Sequence, residues 1–504
     1  MKKQVLILVF IFGTILNYAN GIHVGPSLTY TNISSAAAVA QPGDTIYFHA
    51  GTYTGYQSYT GLSGTKAQWI TVTRYKKDAI IIDGEWQLSS CAFLKFEYLN
   101  FEFSTGLGRF INIDNSGSCA TRSHHIEFDS CYFSNETVTS SICVFKFGGV
   151  DTFKVTNCIF ANNAVDAIDF NVCHVGLIKG NYITNCLSGG HIKGGSSEIT
   201  MERNIFLNTA ASGWVAFELG GDTGVQFYCT GDNFEVKNLK FCSNLIIGGY
   251  RGIALSSATN CEVINNTFYN TQQAMLRVLC VSASFPANTG NKVENNIFAF
   301  GNSAYFNIGV ANGSPQPANA VSFSKNIYYS TVTSSFAGPY WDSPEGDLIK
   351  EANPIVYGSG ASMFVDMVNN DFHLLSTSPA IGAGMPESSP TADYYGYLFK
   401  PVRSIGASEY NSTPEGIPVS ISTENKLICF PNPSVNGKFM LMARGTQGCS
   451  GVKCIQVLSM NGTIVLSQTQ QLPLEIDLSA FSKGIYVLRV RADENVQTQK
   501  IVLE

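Results

Sequence analysis

The sequence predicts an all-β protein whose main part is a parallel β-helix, a stack of coils with three short strands each. The first observation is a recurring motif in which polar and apolar residues alternate and then lead into Asn or Cys and two apolar or aromatic residues. The second is the spacing of this motif, from HIEFDSCYF to VSFSKNIY, at steps of 27, 23, 23, 40, 22, 30 and 30 residues. The third is composition: only 13% of residues are charged, against 47 glycines and 33 phenylalanines, which suits stacked strands better than helical bundles.

The Asn or Cys of each motif is a marker that recurs once per coil. Steps of 22 to 23 residues fit one coil, and the longer steps fit coils that carry loops. Asparagines stacked at the spacing of neighbouring strands, about 4.8 Å, can form a ladder of amide hydrogen bonds at an inward turn. We therefore expect the markers to belong to the scaffold and the asparagines to lie in one line. The markers are Cys131, Cys158, Asn181, Asn204, Asn244, Asn266, Asn296 and Asn326.

The chain begins with the features of a secretory signal peptide. In MKKQVLILVFIFGTILNYANG, two lysines precede a short apolar core and then small or polar residues. We assign residues 1–21 to this peptide, with cleavage near residues 19–21. No later segment supplies the roughly 20 apolar residues of a transmembrane helix. The predicted domains are then a β-helix at 22–410, a polar linker at 411–426 and a C-terminal domain at 427–504.

Charge and cysteine usage restrict the partners. A net charge of -6 disfavours a nucleic-acid binder, whereas an acidic polysaccharide can still bind in a locally basic groove. Most of the 14 cysteines lie in apolar strand patterns, which predicts buried free thiols. Cys449 and Cys454 flank a predicted loop and are the best disulfide candidates. The chain has no CxxC or HExxH pattern, so no zinc site is predicted. We expect a monomer.

The two ends of the predicted β-helix carry a family resemblance. AAAVAQPGDTIYFHAGTYTG at the start, and SPAIGAG, DYYG and SIGASEY at the end, resemble the right-handed parallel β-helix proteins of the pectate lyase type. The resemblance covers roughly residues 22–410 and implies a right-handed helix. These motifs indicate a fold and no particular chemistry.

The C-terminal segment carries a second resemblance. CFPNPSVNGKFML, IQVLSMNGTIVLS, IDLSAFSKGIYVLRV and QKIVLE follow in order and resemble the C-terminal sorting domain of the type IX secretion system of Bacteroidota. The resemblance implies a small β-sandwich that the type IX machinery recognises and that is removed at the cell surface, near the linker. The protein is then secreted or displayed on the cell. The alternative is a β-sandwich module that binds carbohydrate.

Counting back from the markers predicts a line of charged side chains on one outward sheet face. A ladder of ordinary solvated ion pairs is the alternative to a substrate groove. The predicted line contains, in order, Lys146, Asp169, Lys193, Glu218, Ala254 with Arg251 nearby, and Arg277.

Two short stretches resemble the active site of polysaccharide lyase family 9. VDAIDF contains Asp166 and Asp169, and HIKGG contains Lys193; they resemble, in order, the calcium-binding aspartates and the catalytic lysine of that family. The chain departs from the family pattern at Val165, where the family has a further aspartate. The resemblance implies a lyase that uses Lys193 as its base and binds calcium through the two aspartates.

Such chemistry requires particular residue types. Eliminating a uronic acid glycoside needs a base for the proton at C5 and cations for the developing enolate. We predict Lys193, Arg251 and Arg277 as catalytic residues. The step of 40 residues implies an insertion of roughly 17 residues, and such loops often bind ligands. The predicted substrate-binding residues are Lys146, His191, Glu218 and Asp222, and the predicted calcium ligands are Asp166, Asp169 and Glu235.

Three functions remain open at this point. The first is a lyase acting on a uronic-acid polysaccharide. The second is a glycoside hydrolase that uses Asp166, Asp169 or Glu218 as its carboxylate pair, although the NTD, DD and GHG series of polygalacturonases is absent. The third is a non-catalytic surface or adhesion protein that binds carbohydrate.

Overall fold

The protein is almost entirely built of β-strands in the computed structural model. The residues described are 20–103, 109–135, 143–224, 228, 234–279, 286–301, 307–310, 319–341, 345–412, 426–430, 432, 434, 437–444, 453–459, 463–470, 474–492 and 495–503. Within these ranges the helices are short: α1 (Ile33–Ala37) and 3-10 turns at Glu345–Leu348 and Met367–Asn369. None of the helices in these ranges is long and apolar enough to cross a membrane.

The strands follow one another at short intervals. The first are β1 (Gly21–Val24), β2 (Thr45–Phe48), β3 (Gly51–Thr54), β4 (Gln57–Thr60), β5 (Ile70–Arg74), β6 (Ile80–Asp83), β7 (Trp86–Ser89), β8 (Ala92–Glu97), β9 (Asn100–Glu102), β10 (Ile111–Asp114), β11 (Ser123–Asp129) and β12 (Tyr132–Ser134). The next are β13 (Phe145–Gly148), β14 (Val150–Thr156), β15 (Ile159–Ala161), β16 (Asp166–Asn171), β17 (His174–Lys179), β18 (Tyr182–Thr184), β19 (Ser188–Lys193), β20 (Ser196–Glu202), β21 (Ile205–Leu207), β22 (Phe217–Gly220), β23 (Val236–Lys237), β24 (Lys240–Cys242) and β25 (Leu245–Ile247).

The remaining strands complete the helix and form the C-terminal domain. In the helix they are β26 (Arg251–Ser256), β27 (Ala258–Thr259), β28 (Glu262–Ile264), β29 (Thr267–Tyr269), β30 (Ala274–Leu279), β31 (Asn291–Glu294), β32 (Ile297–Phe300), β33 (Asn307–Val310), β34 (Val321–Ser324), β35 (Ile327–Ser330), β36 (Tyr340–Trp341), β37 (Ile355–Tyr357), β38 (Phe364–Asp366) and β39 (Asp371–Leu374). At the C-terminus they are β40 (Lys426–Phe430), β41 (Lys438–Arg444), β42 (Lys453–Ser459), β43 (Ile464–Gln470), β44 (Leu474–Asp477), β45 (Gly484–Ala492) and β46 (Asn495–Leu503).

Three long parallel sheets confirm the predicted right-handed parallel β-helix. Within the described residues, sheet A follows the order β1-β2-β5-β8-β11-β14-β17-β20-β24-β28-β31-β34, with β23 and β27 beside it. Sheet B runs β3-β6-β9-β12-β15-β18-β21-β25-β29-β32-β35-β37, and sheet C runs β4-β7-β10-β13-β16-β19-β22-β26-β30-β33-β36. Each coil therefore contributes one strand to every sheet, as β13, β14 and β15 do.

Strict alternation explains why these segments form strands with one buried face. In β8, AFLKFE alternates between buried and half-buried side chains, as expected for a strand with one face on the core. The inward side chains stack from coil to coil. The rings of Phe101, Phe133 and Phe160 are nearly parallel, with centroids 5.0 and 4.8 Å apart. Each coil thus buries its apolar face against its neighbours rather than alone.

The marker asparagines form the predicted line. The side-chain oxygen of Asn204 accepts from the backbone and side-chain nitrogens of Asn181, at 3.0 and 2.9 Å. The same pattern continues through Asn244, Asn266, Asn296 and Asn326. At its far end, Asn326 donates to the buried carboxylate of Glu351, a terminal acceptor that the motif did not predict. The scaffold role assigned to the markers is confirmed.

The residue before each marker turns the chain from sheet A into sheet B. Asn157, Arg203 and Asn265 have φ of 53°, 59° and 54°, in the left-handed region. A single residue in the left-handed region bends the backbone sharply, and the marker that follows is buried.

Separate antiparallel strands form the C-terminal β-sandwich. Sheets β40-β41-β44 and β43-β42-β45-β46 enclose an apolar core that includes Phe439, Val457 and Leu488. Ten cysteines in the described part of the chain are free and nine of them are buried, as predicted. The disulfide prediction is wrong, because Cys454 is a free thiol, while Cys449 lies outside the described residues. Cys119, by contrast, is disulfide-bonded.

Candidate active site

The three outward sheet faces differ in character, and only one suits a substrate groove. Sheet A carries exposed or half-exposed ion pairs such as Lys154 with Glu127 at 2.7 Å and Lys179 with Glu202 at 2.6 Å. These pairs form a ladder of solvated ion pairs, the arrangement given above as the alternative to a substrate groove. Such pairs contribute little to the stability of the fold. Sheet B is apolar outside, where Ile297 packs with Phe372 and Ile405. The outward face of sheet C holds the predicted charges.

The strand register fixes which side chains share a line on sheet C. Neighbouring strands pair Lys146 with Asp169, Asp169 with His191, His191 with Glu218, Glu218 with Ala254, and Ala254 with Arg277. We call these six residues the sheet C column. Five of the residues predicted for this face are therefore brought together, with His191 in the central place.

Lys193 does not belong to the column, so that part of the prediction is wrong. It pairs with Asn171 and lies two residues beyond His191 on β19. The paired residues Asn171 and His174 are three positions apart, whereas Lys193 and Ser197 are four apart. The turn at the glycine pair after Lys193 thus contains one more residue than the turn after Asn171. Counting back from Asn204 does not reveal this difference. Lys193 still faces outward, since residues two apart share a face.

Asp169 is held in a closed network on one side of the column. Its carboxylate oxygens lie 2.8 Å from Lys146 Nζ and 3.0 Å from His191 Nε2, and it also accepts from Asn171 Nδ2 at 2.6 Å. Burial alone would raise its pKa, but the hydrogen bond and charge of His191, with Lys146 and Lys193, hold the pKa of Asp169 well below its usual range. Asp169 is therefore an ionised residue that orients its neighbours. Asn171 was not predicted, although it follows Asp169 at the same-face spacing.

Lys193 has a very different setting from Lys146. Its ammonium makes no hydrogen bond or ion pair with any residue in the described part of the chain, whereas Lys146 is paired with Asp169. A Cβ at Gly221 would come within 2.8 Å of Lys193 Cδ, so the glycine leaves room for the lysine stem. Lys193 is half-buried and its charge acts on Asp166, Asp169 and Glu218. Among the described residues, it is a positioned cation that forms no ion pair.

Two further carboxyl groups near Lys193 hold their protons more tightly than usual. Burial raises the pKa of Glu218, against the opposing charges of His191, Lys193 and Arg277 and a hydrogen bond from Ser256. Burial also raises the pKa of Asp166, whose Oδ1 is buried without a hydrogen-bond partner in the described residues. His191 Nδ1 lies 3.8 Å from Asp166 Oδ2. The site thus contains one ionised carboxylate and two carboxyls that burial favours in the neutral form.

Glu235, predicted as a metal ligand, instead fixes the backbone on both sides of Lys193. It is fully buried, and its carboxylate oxygens accept from the backbone N–H of Gly194 at 2.7 Å and of Thr223 at 2.6 Å. Gly194 follows Lys193, and Thr223 lies two residues after Gly221. Charged acceptors of backbone N–H groups make strong hydrogen bonds. Glu235 therefore links the backbone at Gly194 to the start of the inserted loop. Residues 225–227 and 229–233 of that loop lie outside the described ranges.

Replacing Glu235 by glutamine should disturb this arrangement, because the amide nitrogen would face one of the two N–H donors. We expect kcat on the substrate proposed below to fall by about tenfold or more, since a small displacement of a catalytic group is costly. Amide hydrogen exchange at Gly194 and Thr223 should accelerate in parallel. Glu198→Gln is the matched control, because Glu198 is exposed and near the same turn. Unchanged exchange in Glu235→Gln would contradict the role.

Two predicted residues lie away from the column. Arg251 begins β26, three residues before Ala254, and its guanidinium donates to Gly213 O at 2.8 Å and to Gln273 Oε1. Asp222 is exposed in the turn after β22, with no hydrogen bond or ion pair to the described residues. Neither contacts the charged residues around Lys193, so the structure does not bring them into the predicted catalytic group.

The predicted calcium ligands do not fit a calcium ion in this arrangement. Calcium takes six to eight oxygen ligands, but the two oxygens of Asp169 already face Lys146 Nζ and His191 Nε2, and those of Glu235 accept backbone N–H groups. Within the described ranges, no group of three or more His, Cys, Asp and Glu side chains is arranged to hold a metal ion.

Comparison with known families bears on the C-terminal domain. Residues 429–504 match the family described as Secretion system C-terminal sorting domain. The C-terminal domain is a sorting domain. The protein is accordingly exported by the type IX secretion system to the cell surface or the extracellular space, and the secretion machinery is its partner, as predicted.

The solved structures most relevant to the β-helix are similar only at low identity. Pectate lyase Pel9A has 15% identity and a TM-score of 0.43, over 78% of this chain and 96% of that chain. An alginate lyase from Paenibacillus sp. strain FPU-7 has 15% identity and a TM-score of 0.39, over 61% and 95%. The surface adhesin PfbA of Streptococcus pneumoniae has 12% identity and a TM-score of 0.37, over 61% and 87%. Such values assign no activity to this chain. No curated protein matches its sequence.

Proposed function

We propose that the protein is a secreted polysaccharide lyase that cleaves a uronic-acid polysaccharide by β-elimination on the outward face of sheet C. The observation that carries the proposal is Lys193, a positioned lysine without an ion-pair partner among the described residues. Its charge acts on three carboxyl groups, and Arg277 lies three strands away on the same sheet face. Lys146, Lys154 and Lys179, which also lie on outward sheet faces, are each paired with a carboxylate. Lys193, unlike these three, has no carboxylate partner among the described residues.

The proposed reaction uses this chain's own residues. The amine of Lys193 takes the proton from C5 of the uronate, the bond from C4 to the glycosidic oxygen breaks, and a C4=C5 double bond forms. Water protonates the departing oxygen and then accepts the proton held by Lys193, so the amine is restored. Arg277 pairs with the uronate carboxylate, which stabilises the negative charge that develops next to C5. Atoms balance without an oxidant or a metal.

The neighbouring groups assist without reacting. Asp169 with Lys146 and Asn171 orients His191, which forms the floor of the site next to Glu218. Because burial raises the pKa of Glu218 and Asp166, their protonated forms persist to higher pH than in an exposed carboxyl. A neutral carboxyl repels a uronate less than an ionised one does. The glycines at positions 194, 195 and 221 are buried and have positive φ, so they shape the backbone that positions Lys193.

The test is a screen of the purified chain against pectin, alginate, ulvan and glycosaminoglycans. The expected result is an unsaturated product that absorbs ultraviolet light, formed from one class of uronic-acid polymer. Binding of such a polymer without any cleavage would contradict the lyase and favour the adhesion function. New reducing ends without ultraviolet absorbance would indicate hydrolysis.

A glycoside hydrolase remains the second candidate because of the opposite pKa shifts of two carboxyl groups. Burial raises the pKa of Glu218, whereas His191 and the lysines lower that of Asp169 against its burial, and such a split can mark a general acid and a general base. Against this, the oxygens of Asp169 face Lys146, Asn171 and His191 rather than an open water position. Glu218→Gln separates the two: a hydrolase would lose its acid, whereas the lyase retains its base.

A further inference from the structure

An exposed tryptophan lies at the edge of the same sheet. Trp214 is 45% exposed, in contrast to Trp86 at 2% and Trp341 at 6%. Its ring has no aromatic or cationic partner among the described residues. Large aromatic side chains are normally buried or engaged. A tryptophan that presents its ring to solvent beside a charged groove therefore requires an explanation.

The loop that carries Trp214 is held firmly by hydrogen bonds. Trp214 N donates to Ala211 O at 3.0 Å, and Ala211 N donates to Leu187 O at 2.9 Å. On the other side, Ala216 N donates to Gly252 O at 2.7 Å. The ring is thus exposed on a fixed backbone, which lowers the entropy lost when a ligand binds against it.

Arg251 is tied to the same loop. Its Nη1 donates to Gly213 O at 2.8 Å, its Nε donates to Gln273 Oε1, and its guanidinium lies over the ring of Tyr250 at 4.9 Å. These contacts orient the side chain and leave Nη2 without a partner in the described part of the chain. Guanidinium groups recognise carboxylates with several parallel N–H donors.

Trp214 and Arg251 lie on the opposite side of the groove from Lys193. Trp214 precedes Glu218 by four residues, so their Cα atoms are at most about 13 Å apart in an extended chain. Lys193 is at the other end of its strand, next to the glycine turn. Between them, Ala254 of the column packs with Val215 and Leu279 into a small apolar cluster. Trp214 and Arg251 thus lie toward one edge of sheet C, and Lys193 lies toward the other.

We propose that Trp214 and Arg251 form a uronate-binding subsite, in which a pyranose ring stacks on the indole and its carboxylate pairs with the guanidinium. The inference rests on the proposed function; it gives Arg251, predicted from the sequence as catalytic, a substrate-binding role and adds Trp214, which the sequence did not single out. Trp214 supplies affinity for a pyranose of any charge, whereas Arg251 supplies preference for an acidic one.

The experiment uses the full chain and its Lys193→Ala variant, so that binding is measured without turnover. Polygalacturonate, alginate and hyaluronan are titrated, with dextran as the neutral polymer, and intrinsic tryptophan fluorescence and Kd are recorded. The expected result is a fluorescence change that disappears in Trp214→Ala, with Kd about tenfold weaker, since tenfold corresponds to about 1.4 kcal/mol. Arg251→Gln should weaken binding of the acidic polymer by about fivefold or more and remove the preference over dextran.

The control is Tyr56→Ala, which removes an aromatic side chain that is 61% exposed elsewhere on the helix and should leave Kd unchanged. Cleavage by the parent with unchanged Kd in both Trp214→Ala and Arg251→Gln would overturn the subsite while the lyase proposal stands. Weakened binding in both variants with no cleavage by the parent would support the subsite and overturn the lyase. Failure of the parent to bind any of the acidic polymers would overturn both.

Discussion

Lys193→Ala is expected to abolish formation of unsaturated product. General-base catalysis typically contributes about 10² to 10⁴ in rate, so kcat should fall by at least about a hundredfold. Folding should be unaffected, because Lys193 faces outward and pairs with no other described side chain. The measurement is ultraviolet absorbance on the polymer identified in the screen, together with thermal unfolding of parent and variant.

Two companion variants make this result specific to a base. Lys193→Arg keeps the positive charge but cannot give up its proton in the working range, so it should remain inactive. Lys154→Ala removes a lysine from an exposed ion pair on sheet A and should retain parental activity. Substantial activity in Lys193→Ala would show that another group takes the proton, and restored activity in Lys193→Arg would assign Lys193 to charge neutralisation rather than to catalysis as a base.

The fold followed from periodicity because the scaffold repeats its physical constraints in every coil. Asn181 and Asn204 occupy equivalent inward turns, and the amide ladder only forms if the side chain is the same in successive coils. A motif that recurs once per coil therefore allows the fold to be predicted from the sequence. Glu351 was not predicted because it occupies the end of the ladder. A residue that occurs at one position cannot be recognised from a repeat.

The site was predicted less accurately because turns do not repeat as strands do. One extra residue in the turn after Lys193 placed His191 in the column, and no spacing from Asn204 could show which turn contains the extra residue.

The acidic character of Glu235 was apparent in the sequence, but the backbone N–H groups of Gly194 and Thr223 that it binds have no side-chain signature. Trp214 lies in no recognisable motif. Its proposed role depends on its exposure and on the contact of Arg251 with its loop, and neither can be read from the sequence.

The scaffold offers the second large expected effect, at the centre of the asparagine ladder. Asn244 Oδ1 accepts from the backbone and side-chain nitrogens of Asn204, and Asn244 Nδ2 donates to Met201 O at 3.0 Å and Asn266 Oδ1 at 3.1 Å. Asn244 is fully buried, so water does not replace a lost partner in the native state.

Asn244→Ala should therefore destabilise the β-helix by about 3 to 5 kcal/mol, since each buried polar group left without a partner costs about 1 to 3 kcal/mol. Asn244→Asp should be no better, because an oxygen would face Met201 O and Asn266 Oδ1 where the amide nitrogen now donates. Asn319→Ala is the matched control: Asn319 is exposed, and its side chain donates to Thr289 Oγ1 at 3.3 Å and to no other described residue, so we expect a loss within about 0.5 kcal/mol. Denaturant unfolding of the three variants measures the difference. A loss in Asn244→Ala no larger than in the control would mean that the ladder aligns the coils without stabilising them, and the repeated asparagine would then need a kinetic explanation in folding.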